Sequence, residues 1–282
     1  MSTGIHGRVD PRFARVREEF ARNFAERGEL GASVCVIASG RTVVDLWGGH
    51  ADPARERPWR EDTLVMVHSC TKGAAAICAH VLADRSELDL DAPVARYWPE
   101  FADAGKERIP VHMLLSHRAG LAAIDAPLRP RQGLEWDTMV DALAHQRPNW
   151  EPGTAHGYHA ITFGWLVGEV VRRISGRTLG RFLRDEIAGP LGLDFWIGLP
   201  EAEDPRAARI APPPPVDPHD AFGAALLDHG SLTRRAFMNP STLYFAGGAE
   251  FARRLRAAEI PAANGMANAR GLAGLYAPLA AG

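Results

Sequence analysis

Between Pro11 and Glu29 the apolar residues Phe13, Val16, Phe20 and Phe24 recur three or four positions apart with arginines and glutamates between them. This spacing predicts an amphipathic helix, stopped by the stretch from Gly28 to Gly31. The period then changes. Ser33 to Ile37 and Thr42 to Trp47 are short runs rich in Val and Ile on either side of Ser39-Gly40-Arg41, which predicts a β-hairpin whose second strand ends at Gly48-Gly49. An Ala-rich segment from Thr71 to Asp84, with Ile77, Val81 and Leu82 at core spacing, predicts a helix that begins directly after Ser69. Helical patterns follow at Val111 to Ser116, Trp136 to His145, Thr162 to Ser175 and Leu179 to Ile187, and a last apolar helix runs through Leu272, Leu275 and Tyr276. Residues 1–68 therefore hold the N-terminal helix and two strands of a sheet, and residues 69–282 a mainly helical domain. Ala211 to Asp220, with four successive prolines, reads as an extended surface connection or, more sharply, as a ligand for a proline-recognition module. Two strands alone are a marginal sheet with unpaired edges, so either other segments pair with them or strands are missing.

Length and composition narrow the function class. A chain of 282 residues, 46% hydrophobic and 23% charged, is long enough for a sizeable core and has the composition of a folding protein. Lys plus Arg is 32 against 34 for Asp plus Glu, a net charge of -2, which removes the general electrostatic argument for a nucleic-acid or anionic-membrane partner. Cys35, Cys70 and Cys78 form neither a disulfide framework nor a paired zinc motif and read as reduced thiols. No run of about 18 apolar residues and no leader-like N-terminus is present, so the cytoplasm is the expected location. His112 and His117 lie five apart, off the face a helical metal pair needs, and read as capping or packing residues; no metal is expected.

The chemistry concentrates at Ser69-Cys70-Thr71-Lys72. At the start of a helix the i to i+3 spacing puts the serine hydroxyl and the lysine amine on one face. Serine is a feeble nucleophile without an adjacent base, and a desolvated lysine falls toward neutrality and can supply one. Tyr158 follows a Pro152-Gly153 turn and projects after Gly157, where it can share a proton with Ser69 or simply pack. His156 and His159 flank it and either touch substrate or remain solvated loop residues. Cys70 lies at i+2 from Lys72 and points away from the amine. Gly-x-Ser-x-Gly is absent. The tryptophans Trp47, Trp98, Trp136, Trp150, Trp165 and Trp196 read mostly as core or interface anchors.

These residues resemble the serine β-lactamase-like hydrolases: class C β-lactamases, D-alanyl-D-alanine carboxypeptidases and family VIII carboxylesterases. The resemblance takes in Asp45-Leu46-Trp47-Gly48-Gly49, Ser69 to Gly73, Leu88 to Val94 with Tyr97 to Phe101, Leu114-Leu115-Ser116-His117-Arg118-Ala119-Gly120-Leu121, Trp150 to Thr154, Tyr158-His159-Ala160 and Pro261 to Gly265. It implies an α+β fold of the β-lactamase/transpeptidase type, a helical domain plus an antiparallel sheet that is incomplete in this chain. It further implies Ser69 as the acylated nucleophile with Lys72 and Tyr158 as proton partners, no cofactor, and a small-molecule ester or lactam substrate. Ala160, where β-lactamases and peptidases usually carry Asn, favours a carboxylesterase; a β-lactamase or D-amino-acid peptidase and a catalytically inactive acyl-binding fragment are the alternatives. Substrate-contacting residues are not assigned. The family's third motif does not occur after Pro261 to Gly265, and Asp228-His229-Gly230-Ser231 and Ala246-Gly247-Gly248 precede that landmark. The resemblance thus implies a truncated member lacking the C-terminal strands, whose exposed sheet edges a homo-oligomer would cover.

Overall fold

The computed structural model describes residues 4–281 except 213, 245 and 246, and the side chain of Tyr244 is not described. Pro213 and Ala246, which belong to two segments singled out above, therefore lie outside the described residues.

The predicted hairpin forms as β2 (Gly31–Ala38) and β3 (Arg41–Gly49), antiparallel with Val34 opposite Leu46 and Ala38 opposite Arg41. Ser39 and Gly40 take positive φ values of 48° and 71° in the two-residue turn, the geometry whose twist matches the flanking strands. The structure adds a third strand, β1 (Ile5–Val9), on the other flank of β3, giving the order β1-β3-β2. The pattern signals only two strands here because Ile5-His6-Gly7-Arg8-Val9 is polar in its middle and carries no buried face of its own. The outer edge of β2 has no partner strand among the described residues.

After a single turn at Pro11–Phe13, helix α1 (Ala14–Glu26) lays Phe20 against Val43, Val44 and Leu46, with Phe13, Val16 and Phe24 around them. The predicted apolar stripe is thus the face that covers the sheet. At the other end of the chain, α10 (Ala269–Ala281) packs on β2. Arg270 at its start donates from Nε to both carboxylate oxygens of Asp45 at 3.0 Å and lies over the Trp47 ring. The last helix, grouped with the helical part by sequence order, is therefore a support of the sheet.

The helical part is built around α5 (Thr162–Ser175), buried from Thr162 to Val171. It packs against α2 (Thr71–Asp84), whose Ala74, Ala75, Cys78 and Ala79 leave room for close approach, and against α4 (Trp136–His145). The first stretch of the Leu179 to Ile187 helix is regular, α6 (Leu179–Leu183), and the next turn, Arg184–Ala188, widens into a π-type turn. Lys106 is fully buried and donates to the carbonyls of Asp103, Ala144 and Gln146 at 2.7, 2.9 and 2.8 Å, sealing the end of α4. Burial pushes its amine down to about 8.

Three two-residue strands, β4 (Val65–Met66), β5 (Phe195–Trp196) and β6 (Met266–Ala267), form a second antiparallel sheet in the order β4-β6-β5. Val65 pairs with Ala267, and Val67 N–H donates to Gly265 O at 2.8 Å. This sheet is small, but it sets residue 69, just after β4, beside residues 262–265, just before β6. Among the described residues no helix is long and apolar enough to cross a membrane.

Candidate active site

Ser69 occupies the middle of a single 3-10 turn, His68–Cys70, that leads straight into α2. His68, the residue before it, has a left-handed φ of 44°, a conformation costly for a side chain other than glycine and one that turns the chain sharply just before Ser69. Ser69 is exposed and Lys72, one helical turn on, is 8% exposed. Thr71 holds the turn from below: its hydroxyl donates to His68 O at 2.5 Å and accepts from Gly265 N–H at 2.9 Å.

The Lys72 amine reaches three oxygens, Ser69 Oγ at 3.1 Å, Ala160 O at 2.7 Å and Ala262 O at 2.9 Å. Burial pushes its pKa from 10.5 down to about 8. The hydroxyl of Tyr158 lies 2.8 Å from Ser69 Oγ, although the two residues are 89 positions apart. Lys72 Nζ also stands 4.7 Å from the centre of the Tyr158 ring. The structure thus brings Ser69, Lys72 and Tyr158 into one hydrogen-bonded set, in which Ser69 Oγ accepts from both the amine and the phenol, and the amine touches both the serine and the face of the phenol.

The loop that presents Tyr158 is fixed from several directions. Gly157 passes so close to Trp150 that a Cβ would stand 2.5 Å from the indole ring. His159 is fully buried, not solvated as its loop position suggested: its Nδ1 donates to Gly157 O at 2.6 Å and its Nε2 accepts from Leu121 N–H at 3.0 Å. Those two bonds need the neutral ring, and burial pushes the pKa down to about 4. His156 remains exposed. His117, which reads in the sequence as a capping or packing residue, sits in the site with its ring 5.0 Å from that of Tyr158. The stretch from Leu114 to Leu121 belongs to the resemblance, but it does not say that His117 stands beside Tyr158; that follows from contacts such as Gly157 N–H to His117 O.

Ala160 contributes its carbonyl to Lys72, a role indifferent to its side chain. Asn264, in the Pro261 to Gly265 landmark, accepts from Ile260 N–H and donates to the carbonyls of Leu255 and Ala258, which locks the bend that offers Ala262 O to the lysine. On the open side of Tyr158, Phe237 on α8 (Leu232–Met238) lies 6.2 Å away and meets Phe222 on α7 (Ala221–Leu227) edge-on at 5.1 Å. Asp228 to Ser231 forms the connection between these two helices, where Ser231 caps α8 through Arg234 N–H. Cys70 is exposed beside Ser69, and its thiol is not among the partners of Lys72.

Residues 17–282 match the Beta-lactamase family. The chain is 38% identical over 283 residues to the "Esterase/beta-lactamase LipL" of Mycobacterium tuberculosis; the match covers 99% of this chain and 65% of that protein. Among solved structures it is similar to a family VIII carboxylesterase, with 42% identity and a TM-score of 0.87, and to a penicillin-binding protein homologue from Caulobacter crescentus, with 42% identity and a TM-score of 0.88. Both likenesses cover 99% of this chain and 72% of the other.

Proposed function

Because this chain belongs to the β-lactamase family of serine hydrolases, we propose that it cleaves carboxylic esters through an acyl-enzyme on Ser69. The observation that carries the reading is the three-way contact of Ser69 Oγ with Lys72 Nζ at 3.1 Å and Tyr158 Oη at 2.8 Å.

Ser69 Oγ attacks the ester carbonyl carbon and gives its proton to the Lys72–Tyr158 pair. Negative charge collects on the carbonyl oxygen. The Ser69 N–H, in the turn that leads into α2, is one donor offered to it. As the tetrahedral species collapses, the carbon–alkoxy bond breaks and the same pair returns the proton to the departing alcohol. Water then attacks the acyl group, loses a proton to the pair, and releases the acid and the restored serine. A lysine near 8 suits both directions of transfer around neutral pH. The aromatic run Tyr158, Phe237 and Phe222 offers an apolar wall for the acyl or alcohol group.

A lactam substrate is the second reading, favoured by the similarity to a penicillin-binding protein homologue. Ala160 stands where an amide side chain would help to hold a lactam or peptide, and this supports the ester. The test is intact mass after reaction with a fluorophosphonate, with a short p-nitrophenyl ester and a chromogenic cephalosporin assayed in parallel. A single adduct that disappears in Ser69→Ala, together with ester turnover above cephalosporin turnover, is the expected outcome. A folded protein without an adduct, or equal ester turnover by Ser69→Ala, overturns the reading.

A further inference from the structure

His117 makes two contacts that the proton-transfer set does not use. Its carbonyl oxygen accepts the N–H of Gly157 at 3.1 Å, and its ring Nδ1 accepts the N–H of His159, also at 3.1 Å. These donors belong to the residues immediately before and after Tyr158, so one residue grips the loop on both sides of the phenol. The grip depends on backbone conformation: His117 has φ 58°, in the left-handed region, and this lets its carbonyl and its ring face the same neighbouring loop. A β-branched or bulky residue is strained there, whereas Asn and Gly adopt it readily.

The ring also fills the space behind the phenol. It lies 5.0 Å from Tyr158 and 5.1 Å from Phe163, centre to centre. An Nδ1 that accepts a hydrogen bond carries no proton, so the ring is neutral with its proton on Nε2. Burial, the nearby Lys72 charge and His156 all disfavour the imidazolium and hold the pKa near 4, so the acceptor persists across the neutral range.

We infer that His117 is the positioning residue for Tyr158: by binding the backbone on both sides of it, His117 holds the phenol hydroxyl at Ser69. The inference rests on the reading of Tyr158 as a proton partner. Misplacing a reacting group by about 1 Å can cost on the order of a hundredfold in rate, so loss of the grip should appear in turnover more than in substrate affinity.

The informative pair is His117→Asn and His117→Gly. Both suit the left-handed backbone and both remove the ring, but only Asn keeps an acceptor, its Oδ1, near the place of Nδ1. With p-nitrophenyl acetate, His117→Gly should lower kcat about 10- to 100-fold with KM changed less than about threefold, and His117→Asn should recover to within about threefold of the parent. Amide hydrogen exchange at His159 should accelerate in His117→Gly and stay near the parent rate in His117→Asn. In the parent, nitrogen-15 NMR of labelled histidine should show His117 unprotonated at Nδ1, a measurement that needs no variant to fold. Parent-like kcat in His117→Gly, equal losses in both variants, or a protonated Nδ1 would overturn the inference. If the parent takes no fluorophosphonate at Ser69, the catalytic reading fails by itself, and the exchange and NMR results still decide whether the grip exists.

Discussion

Lys72 and Lys106 form a natural experiment within one molecule. Each is buried, each donates to three oxygens, and burial pushes each amine down to about 8. The difference lies in the third oxygen. Lys106 meets only main-chain carbonyls, which have no proton to give, so its lowered affinity for a proton has no chemical outlet. Lys72 meets two carbonyls and one exposed hydroxyl, and that hydroxyl in turn meets a phenol. A perturbed pKa therefore marks burial, and it becomes a pointer to catalysis only where a proton donor and an opening to solvent adjoin it.

Replacing each lysine with methionine tests this contrast most severely. Lys72→Met should lower kcat/KM for a p-nitrophenyl ester by about a thousandfold or more, because the serine loses its adjacent base. Lys106→Met should leave the kcat/KM of the folded enzyme within about twofold while lowering stability by roughly 3 kcal/mol, since three buried carbonyls lose their donor. Comparable activity losses in the two variants, measured on samples with cooperative melts, would break the comparison.

The next effect is in the pH profile. In the proposed mechanism Lys72 acts as a base only when neutral, so kcat/KM should rise about tenfold per pH unit below its pKa and level off above roughly pH 8. Lys106→Met should leave that limb in place. A limb that moves in the Lys106 variant would mean that the two sites are coupled.

The smallest effect is on stability. Both lysines bind protons more weakly in the folded chain than at their ordinary value of 10.5, so between about pH 8 and 10.5 the unfolded chain carries more protons and stability rises with pH. The gain is at most roughly 1.4 kcal/mol per pH unit for each lysine. Burial pushes the Cys78 thiol up, which works in the opposite direction at high pH, so the informative quantity is the difference between the parent and Lys106→Met. That difference should grow through this window and stay flat below about pH 8, as urea melts at several pH values would show.

The same contrast indicates what a linear reading can find. Ser69 and Lys72 were legible because their relation is local: i to i+3 on a helix puts two side chains on one face wherever the helix sits. Tyr158 was legible from its turn and from the family resemblance. Lys106 gave no signal, because its three carbonyl partners come from two separate stretches of chain and carbonyls are common to every residue. The solvated reading of His159 fails for the same reason. Histidine in a loop reads as solvated until something covers it, and what covers His159 is the Leu121 segment, 38 positions away.

The sequence by itself determined the elements with a strong period. The hairpin of β2 and β3 and the helices α2, α4 and α5 appear at or close to their predicted bounds, since hydrophobic periodicity is a property of each segment alone. It also determined the register of serine to lysine. Tertiary structure decided where those elements meet. The sheet of β4, β5 and β6 consists of strands too short to show any period, yet it sets Ser69 beside Ala262 and so completes the environment of Lys72. Desolvation, the distance from serine to tyrosine and the grip on the tyrosine loop all depend on atoms brought together from distant parts of the chain, and a pattern read one segment at a time does not carry that information.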